Sequence, residues 1–553
     1  MKEKIKKLVS EALAELNLGE VDFTVEHPDD SINGDYSTNV ALVLSKKLKQ
    51  NPGEVAEKII SGIKKPPEIS AIKPAGPGFI NFHLSRKFFA DTIDEILEKK
   101  ENYGKNKNLA GQKVIVEYTD PNPLKEFHIG HLMSNTIGEA ISRVVEASGA
   151  EVKRACYQGD VGMHAAKAVW GYLHEKNWKT AYAFGSKAYE KDDKVKEEVL
   201  AVNKKLYERS DPELNAIYDQ GRKASLESFE EIYRKLGTSF NYYFFESETG
   251  KLGKEIVEEN TGSVFENGDK GAIVFHAEKF NKKLHTRVFI NSEGLPTYEA
   301  KELGLAKIKY GKFPYDKSIV VTGNEINQYF QVLLEAMKRV FPELAEKTRH
   351  ISHGMLRLPT GKMSSRTGDV ITGESLISLI SEKVVEKVKE TNRGEMTEEF
   401  INQVAVAALK YSILKQSIGS DIIYDFDKSI SFEGDSGPYL QYSYARAKSV
   451  AEKAEKEEIF MNVENPPEEI SAPERLLYIF PEIVERSARE FQPHHIANYL
   501  IELARAFNAY YGNNRIADKN DESSPYKVAL ASAFAIVIKN GLRFLGIQAP
   551  EKM

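Results

Sequence analysis

The chain has 553 residues, 41% of them hydrophobic, so it can bury several large cores and divide into roughly three to five domains of about 100 to 200 residues. It contains no run of about 18 apolar residues, which excludes a membrane-spanning helix, and its single cysteine excludes an internal disulfide and a multi-cysteine zinc site, which fits a reducing cytoplasm. The net charge of −6 gives no support to a nucleic-acid partner, whose phosphates usually require a basic surface.

Residues 1–105 are expected to form a small domain of mixed helix and strand. The first 16 residues place apolar side chains along one helical face, and the acidic Glu3, Glu11 and Glu15 argue against a cleavable transit peptide. A short apolar strand follows at residues 78–82, directly after a turn-rich stretch. The polar, glycine-containing residues at the end of this region are typical of a linker.

Residues 106–375 change to a pattern of strand, helix and strand. Residues 114–116 are an apolar run, a helix with an apolar repeat every four residues follows, and residues 152–157 form the next strand. Such a βαβ unit predicts a doubly wound parallel sheet covered by helices. Residues 165–260 are charge-rich and helical, so we expect a helical insertion that separates this unit from later strands such as residues 287–290.

The remaining residues are helix-patterned. We expect connecting helices over residues 376–430 and an all-helical bundle over residues 431–553. The bundle includes amphipathic stretches at residues 439–454 and 495–511.

The loop after the first strand of the βαβ unit carries the most informative motif, His128-Ile129-Gly130-His131. In open α/β sheets, ligands bind at the carboxyl ends of the strands, where a helix N-terminus attracts phosphate. His128 and His131 lie three residues apart on the opening helical turn and can donate hydrogen bonds to phosphate oxygens. Gly130 lets an adenine ring approach the backbone. The arrangement suits a nucleoside triphosphate.

A pair of histidines three residues apart, taken alone, is more often a surface coincidence or part of a metal site. No cysteine or carboxylate stands at a convincing third-ligand spacing near His128 and His131. The pair also occupies the position at which the predicted fold binds ligands. We therefore favour phosphate binding and expect no metal site.

The motif at residues 128–131 resembles the first signature of the class I aminoacyl-tRNA synthetases. The sequence Lys-Met-Ser-Ser-Arg at residues 362–366 resembles their second signature, usually Lys-Met-Ser-Lys-Ser. The two stand in the family's order on either side of an insertion. The resemblance implies a Rossmann-like catalytic domain and an ATP site formed by Gly130, His128, His131, Met355, Lys362, Met363 and Ser364.

The second signature departs from the family pattern, because Ser365 stands where the family has a lysine. In arginyl-tRNA synthetases, which the chain resembles most, a lysine three residues before the first signature compensates for this loss. Lys125 holds that position. The resemblance therefore implies four catalytic residues: His128, His131, Lys125 and Lys362.

A site for arginine requires carboxylates that accept paired hydrogen bonds from a planar guanidinium. The family binds arginine with the acid that ends the first strand, an asparagine in the following loop and a Tyr-x-x-x-Asp pair. These correspond here to Glu117, Asn122, Tyr298 and Glu302, of which the last is longer than the family's aspartate.

The family also uses a glutamine on a later strand-to-helix turn. In the best register Ile326 occupies that position, and Glu325 and Asn327 are the neighbours that could serve instead. The sequence leaves this contact unassigned.

The C-terminal helices resemble the family's all-helical anticodon-binding domain, and residues 1–105 resemble the α+β domain with which the family touches the outer corner of tRNA. Aromatic side chains can stack on unpaired anticodon bases, although at helical spacing they are more often core residues. The candidate anticodon contacts are Tyr439, Tyr442, Tyr510 and Met553.

The resemblance implies arginine–tRNA ligase activity. ATP would activate L-arginine to arginyl-adenylate, and the arginyl group would pass to the 3′-terminal adenosine of tRNA(Arg), with release of AMP and diphosphate. Mg²⁺ is expected to arrive with ATP rather than at a dedicated protein site, and members of the family typically need bound tRNA before they activate arginine. The protein is further expected to be cytoplasmic, monomeric and not bound to a membrane.

Three alternatives remain open. Small nucleotidyltransferases also carry His-x-Gly-His loops, but their chains lack a large helical C-terminal domain. A non-catalytic, synthetase-like RNA-binding or regulatory protein is a second alternative, against which the intact His128, His131 and Lys362 argue. The third is a class I synthetase for another amino acid.

Overall fold

The computed structural model describes residues 1–357, 372–391 and 396–553. The chain divides into two compact units, which we call unit 1 (Met1–Tyr103, Ala447–Phe480 and Leu503–Val537) and unit 2 (Gly104–Arg446, Pro481–Glu502 and Ile538–Met553). Over the part of the chain that is described, no helix is both long and apolar enough to cross a membrane.

The first 103 residues of unit 1 fold as a four-stranded antiparallel sheet with helices. Their elements, in chain order, are α1 Lys2–Glu15, β1 Val25–Glu26, β2 Tyr36–Thr38, α2 Val40–Leu48, α3 Pro52–Gly62, β3 Ile69–Ala75, β4 Phe79–Leu84 and α4 Arg86–Lys99. The strand order is β1-β2-β4-β3. The face of α1 that the sequence predicts as apolar is buried, and the predicted strand at residues 78–82 is β4, so the mixed α+β domain is confirmed.

Residues 104–446 of unit 2 begin with the predicted βαβ unit. The elements up to the end of the parallel sheet are β5 Lys113–Glu117, α5 Ile129–Ala147, β6 Glu151–Gln158, α6 Met163–Glu175, α7 Trp178–Lys191, α8 Asp193–Glu208, α9 Pro212–Leu236, β7 Tyr242–Phe245, α10 Glu246–Glu259, β8 Glu266–Asn267, β9 Ile273–Phe275, β10 Arg287–Ile290, α11 Tyr298–Lys312, β11 Lys317–Gly323, α12 Asn327–Val340, α13 Pro342–Lys347 and β12 Thr348–His353.

Five of these strands form one parallel sheet in the order β12-β11-β5-β6-β7. The predicted apolar run at residues 114–116 is buried in β5, as is typical of a parallel strand that is covered on both faces. The doubly wound sheet is therefore confirmed. Because β5 and β11 are adjacent, the loops that follow them meet at the carboxyl edge of the sheet.

The helical insertion comprises α6 to α9, and the structure differs from the expectation at two places. Residues 242–245, predicted to lie within the insertion, form β7 at the edge of the parallel sheet. Their sequence Tyr-Tyr-Phe-Phe has no apolar and polar alternation, but aromatic residues suit strands. Residues 287–290, expected among the later strands of the main sheet, belong instead to a separate antiparallel sheet in the order β10-β9-β8.

The rest of the described chain is mainly helical, as predicted. Its elements are β13 Leu356–Arg357, α14 Gly373–Thr391, α15 Glu398–Leu414, β14 Ile422–Ile423, α16 Phe426–Ser429, α17 Gly437–Lys456, α18 Ala472–Leu477, α19 Phe480–Glu490, α20 His494–Asn513 and α21 Ser524–Phe544. The short strands β13 and β14 pair in parallel. The amphipathic stretches at residues 439–454 and 495–511 lie in α17 and α20, and the domain boundaries at 105, 375 and 430 stay predictions.

Candidate active site

A cavity of about 670 Å³ lies at the carboxyl edge of the parallel sheet in unit 2. The ends of β5, β11 and β12, the first turn of α5 and the beginnings of α10 and α11 contribute to its wall. Its lining includes every described residue that the sequence predicted for ATP or arginine except Lys125: Glu117, Asn122, His128, Gly130, His131, Tyr298, Glu302 and Met355.

The loop between β5 and α5 carries left-handed backbone at three residues that are not glycine, namely Thr119 (φ 84°), Asp120 (φ 47°) and Leu124 (φ 69°). Such conformations cost about 1–3 kcal/mol each and persist only where surrounding contacts hold them. Here the Thr119 backbone N–H donates to Ser134 at 3.0 Å, and the Tyr157 backbone N–H donates to the Asp120 carboxylate at 2.7 Å. These contacts fix the loop in a shape in which Thr119, Asp120 and Asn122 line the cavity.

The two signature histidines stack on each other at the start of α5, with ring centroids 3.6 Å apart. The His128 backbone N–H donates to Nδ1 of His131 at 3.2 Å. Burial, then the neighbouring His128 and Lys125, hold the pKa of His131 well below its usual value, and burial followed by Lys125 also lowers the pKa of His128. His131 is therefore neutral at pH 7, with its proton on Nε2 and available for donation.

Gly130 stands between the two histidines and lines the cavity. A Cβ at this position would lie 3.0 Å from the His128 ring. The stacked arrangement therefore requires a glycine at this position. The predicted approach of an adenine ring is a second reason for a glycine here.

Three carboxylates gather at the end of β5, where Glu117, Asp120 and Glu302 all line the cavity. Glu117 is almost fully buried and accepts from the ammonium of Lys309 at 2.6 Å. Burial and then Glu117 raise the pKa of Asp120 well above its usual value, and the same two causes raise the pKa of Glu302 to about 8. The ammonium of Lys309 therefore faces three acids, and this imbalance of charge favours the binding of a further cation.

A fourth acid, Glu246 at the start of α10, is already paired. It accepts from Lys301 at 2.6 Å, and both side chains are buried. Burial raises the pKa of Glu246, whereas Lys301 lowers it. Among the described residues, no group of three or more His, Cys, Asp or Glu side chains is arranged to hold a metal ion.

Asn122 packs against Gly159 at the end of β6. A Cβ on Gly159 would lie 2.2 Å from the Asn122 side-chain oxygen and 3.0 Å from a Glu246 oxygen. The glycine therefore allows the amide and the carboxylate to converge on one side of the cavity.

The predicted Lys125 is absent from the cavity lining. Lys125 belongs to the loop before α5, and its ammonium is 4.9 Å from the ring centre of Tyr182. Lys362, together with Met363 and Ser364, lies outside the described residues. The described residues on either side both reach the cavity region, because Arg357 lines it and Thr372 forms a bridge with His128.

Sequence reasoning missed several residues of the site. Asp120 and Glu246 line the cavity, and Lys301 and Lys309 neutralise acids there. Asp120 stands inside the motif loop and so offered a signal. A lysine within a helix ordinarily indicates an exposed position, and the pairing of Lys309 with Glu117 across 192 residues leaves no local trace.

The turn between β11 and α12 bears on the glutamine that the sequence left unassigned. Glu325 and Ile326 line the cavity, whereas Asn327, the first residue of α12, is absent from the lining. Glu325 is therefore the polar neighbour of that position that reaches the cavity.

The candidate anticodon residues lie elsewhere. Tyr439 and Tyr442 are half-buried on α17, and the Tyr442 hydroxyl accepts from Arg446 at 2.9 Å. Tyr510 is half-buried on α20, where burial raises its pKa to about 12, and Met553 ends the chain half-buried. Their contact with RNA stays a prediction.

Sequence profiles of known families match nearly the whole chain. The profile described as tRNA synthetases class I (R), catalytic domain, matches residues 92–426, the DALR anticodon binding domain matches residues 440–553, and the arginyl tRNA synthetase N terminal domain matches residues 3–84. Among curated proteins, an arginine–tRNA ligase of Treponema denticola is 30% identical over 96% of this chain and 94% of its own length. One of Clostridium acetobutylicum is 30% identical over 96% of both.

Solved structures agree in fold. The chain is similar to the Thermus thermophilus arginyl-tRNA synthetase, with a TM-score of 0.75, 24% identity and all of both chains covered. The Plasmodium falciparum arginyl-tRNA synthetase gives a TM-score of 0.78 at 21% identity, with 100% of this chain and 99% of that chain covered.

The buried pair of Glu117 and Lys309 yields a stability prediction. Lys309→Met leaves a buried carboxylate without its partner and should lower the free energy of unfolding at pH 7 by about 3–5 kcal/mol, measured by urea denaturation. Lys312→Met, at the exposed end of the same helix, should change it by less than about 0.5 kcal/mol. Equal stability of the two variants would contradict the pairing, and adding Glu117→Gln to Lys309→Met should recover part of the loss.

Proposed function

The chain belongs to the class I arginyl-tRNA synthetases, and from this premise we propose that it activates L-arginine with ATP and transfers it to the 3′-terminal adenosine of tRNA(Arg), releasing AMP and diphosphate. The proposal rests on the observation that the cavity has two chemically different ends. One end offers acids in excess of ammonium groups, and the other offers a helix N-terminus with neutral imidazole donors. Arginyl-adenylate carries a guanidinium at one end and a phosphate that bears adenosine toward the other.

We assign the acidic end to the arginine side chain. Glu302 has no lysine of its own, unlike Glu117 and Glu246, and can accept paired hydrogen bonds from a guanidinium. Asp120 supplies a second unneutralised acid beside it. Asn122 and Tyr298 line the same cavity and offer groups to the α-amino and carboxylate end of arginine.

We assign the start of α5 to ATP. The helix N-terminus carries partial positive charge, which favours phosphate. Neutral His128 and His131 add donors that do not lose a proton during the reaction, so they stabilise charge rather than act as acids. Gly130 and Met355, which line the same cavity, are assigned to the adenosine part.

Lys125 and Lys362 complete the positive charge at the phosphates in this proposal. The charge of Lys125 lies close enough to lower the pKa of both signature histidines. Lys362 is five residues from the cavity-lining Arg357, a length of chain that spans at most about 18 Å. Lys362, Met363 and Ser364 are assigned to ATP on their motif. Mg²⁺ would arrive on the ATP phosphates and supply further positive charge.

The reaction then takes two steps. A carboxylate oxygen of arginine attacks the α-phosphorus of ATP in line, the bond from that phosphorus to the bridging oxygen breaks, and diphosphate leaves. In the second step the 2′-hydroxyl of the terminal adenosine attacks the arginyl carbonyl, AMP leaves as the carboxyl–phosphate bond breaks, and the hydroxyl proton is lost. The protein contributes position and charge and forms no covalent bond to either substrate.

Recognition of tRNA is assigned to the terminal regions. We propose that residues 3–84 and 440–553, which match the N-terminal and anticodon-binding profiles, contact tRNA(Arg), with Tyr439, Tyr442, Tyr510 and Met553 as the anticodon candidates. A monomeric state and a cytoplasmic location complete the proposal.

The activity is tested by charging tRNA(Arg) with each standard amino acid and with citrulline, in which a neutral urea group replaces the guanidinium. Arginine should be the only good substrate, and citrulline should be used at least about 10³-fold less well in kcat/KM, because a buried carboxylate would lose its partner. Efficient charging with another amino acid, or equal use of citrulline, would refute the assignment.

The pKa of about 8 at Glu302 predicts a pH dependence of arginine binding. At pH 6 the empty site holds a proton that the guanidinium must displace, so the Kd should fall as pH rises from 6 to 8, by at most about tenfold per unit, and then level off. The guanidinium stays charged throughout this range. Calorimetry measures both the Kd and the proton release.

Glu302→Gln is the matched variant for this experiment. It should bind arginine more weakly and with a smaller pH slope, because it lacks the carboxyl group whose pKa is about 8. Glu293→Gln, at an exposed position before α11, should behave as the wild type. A wild-type Kd that is constant between pH 6 and 8 would contradict the role of Glu302.

A further inference from the structure

The loop that carries Lys125 rests on the helical insertion. Leu124, directly before it, is buried in a hydrophobic cluster with residues of α6, α8 and α9. The Leu124 backbone N–H donates to the side chain of Ser225 on α9 at 3.0 Å. Because Leu124 also has left-handed backbone, the insertion sets the direction in which the chain enters Lys125.

Helix α7 of the insertion is held in a fixed position against α6. A Cβ on Gly171 would lie 2.1 Å from the Ala181 carbonyl oxygen, and a Cβ on Gly185 would lie 2.1 Å from the Lys167 carbonyl oxygen. The two glycines therefore allow the helix backbones to touch. Tyr182, next to the fully buried Ala181, is placed by this contact and by the packing of its own ring against the cluster that contains Leu124.

Tyr182 lies near one residue assigned to ATP and one residue assigned to arginine. The ammonium of Lys125 lies 4.9 Å from its ring centre, within the range of a cation–π interaction. Burial raises the pKa of Tyr298 most, and the hydroxyls of Tyr207 and Tyr182 add to the shift. Tyr182 thus stands close both to the lysine assigned to ATP and to the tyrosine assigned to arginine.

We propose that Tyr182 is a positioning residue of adenylate formation, which holds the Lys125 ammonium beside the ATP phosphates. The inference rests on the proposed function and gives the helical insertion a role in it. A lysine side chain has several rotamers, and a ring face that attracts the ammonium selects those that keep it at the loop. The aromatic ring carries no charge, so Lys125 keeps its full charge for the phosphates, which a carboxylate partner would neutralise.

The chain offers a matched control on the same helix. The ammonium of Lys167 lies 4.1 Å from the ring centre of Tyr189, which is also on α7. Neither residue lines the cavity. Tyr182→Leu and Tyr189→Leu therefore remove the same kind of contact at two places. Tyr182→Phe keeps the ring and removes only the hydroxyl.

The experiment measures ATP–diphosphate exchange with tRNA(Arg) present, for the full-length protein and each variant. Tyr182→Leu should lower kcat by about 3- to 30-fold with the arginine KM within about twofold, whereas Tyr182→Phe and Tyr189→Leu should stay within about twofold of the wild type. In a Lys125→Ala background, Tyr182→Leu should have no further effect, because the partner is already gone. Tyr182→Gln repeats the test if the leucine variant folds poorly.

Two results overturn the inference, and they are distinguishable from failure of the proposed function. A wild-type kcat in Tyr182→Leu, or an undiminished effect of this change in the Lys125→Ala background, rejects the role of Tyr182 while charging with arginine remains intact. A Lys125→Ala variant with wild-type exchange rejects the assignment of Lys125 itself. Loss of arginine specificity in the wild-type charging assay rejects the proposed function as a whole.

Discussion

An excess of acid at the end of β5 is the constraint on which the site depends. Glu117, Asp120 and Glu302 share one buried ammonium, that of Lys309. An isolated carboxylate is costly to bury, and burial accordingly raises the pKa of Asp120 and of Glu302. A guanidinium bound there can take the place of a proton, and it donates paired hydrogen bonds to the ionised carboxylates. The strained loop and the close approach of Asn122 to Gly159 keep these groups from separating.

The same loop also forms the opposite end of the cavity, where the two histidines lie. The carboxylates and the histidines therefore line one cavity. Glu117 ends β5 and His128 precedes α5, so about ten residues of chain join the acid end to the phosphate end. Burial keeps the stacked histidines neutral. A neutral donor pair attracts phosphate without offering a charged partner to the acids nearby, and the two ends can therefore stay distinct.

The sequence alone predicts the parts of the structure that have a local cause. The apolar run of β5, the amphipathic face of α5 and the loop between them follow from short-range patterns, and they locate the site. The pairings of Lys309 with Glu117 and of Lys301 with Glu246 depend on contacts between residues far apart in the chain. The sequence gives no indication of the proposed role of the insertion either. The packing of Leu124 among the helices of the insertion is also a contact between residues far apart in the chain.

The most direct test is a structure of the protein with the non-hydrolysable analogue arginyl-sulfamoyl-adenosine. The account predicts that the guanidinium lies between Glu302 and Asp120, that the sulfamoyl group, which replaces the phosphate, lies at His128 and His131, and that the adenine lies near Gly130 and Met355. A guanidinium bound away from these carboxylates, or a sulfamoyl group away from the start of α5, would contradict it.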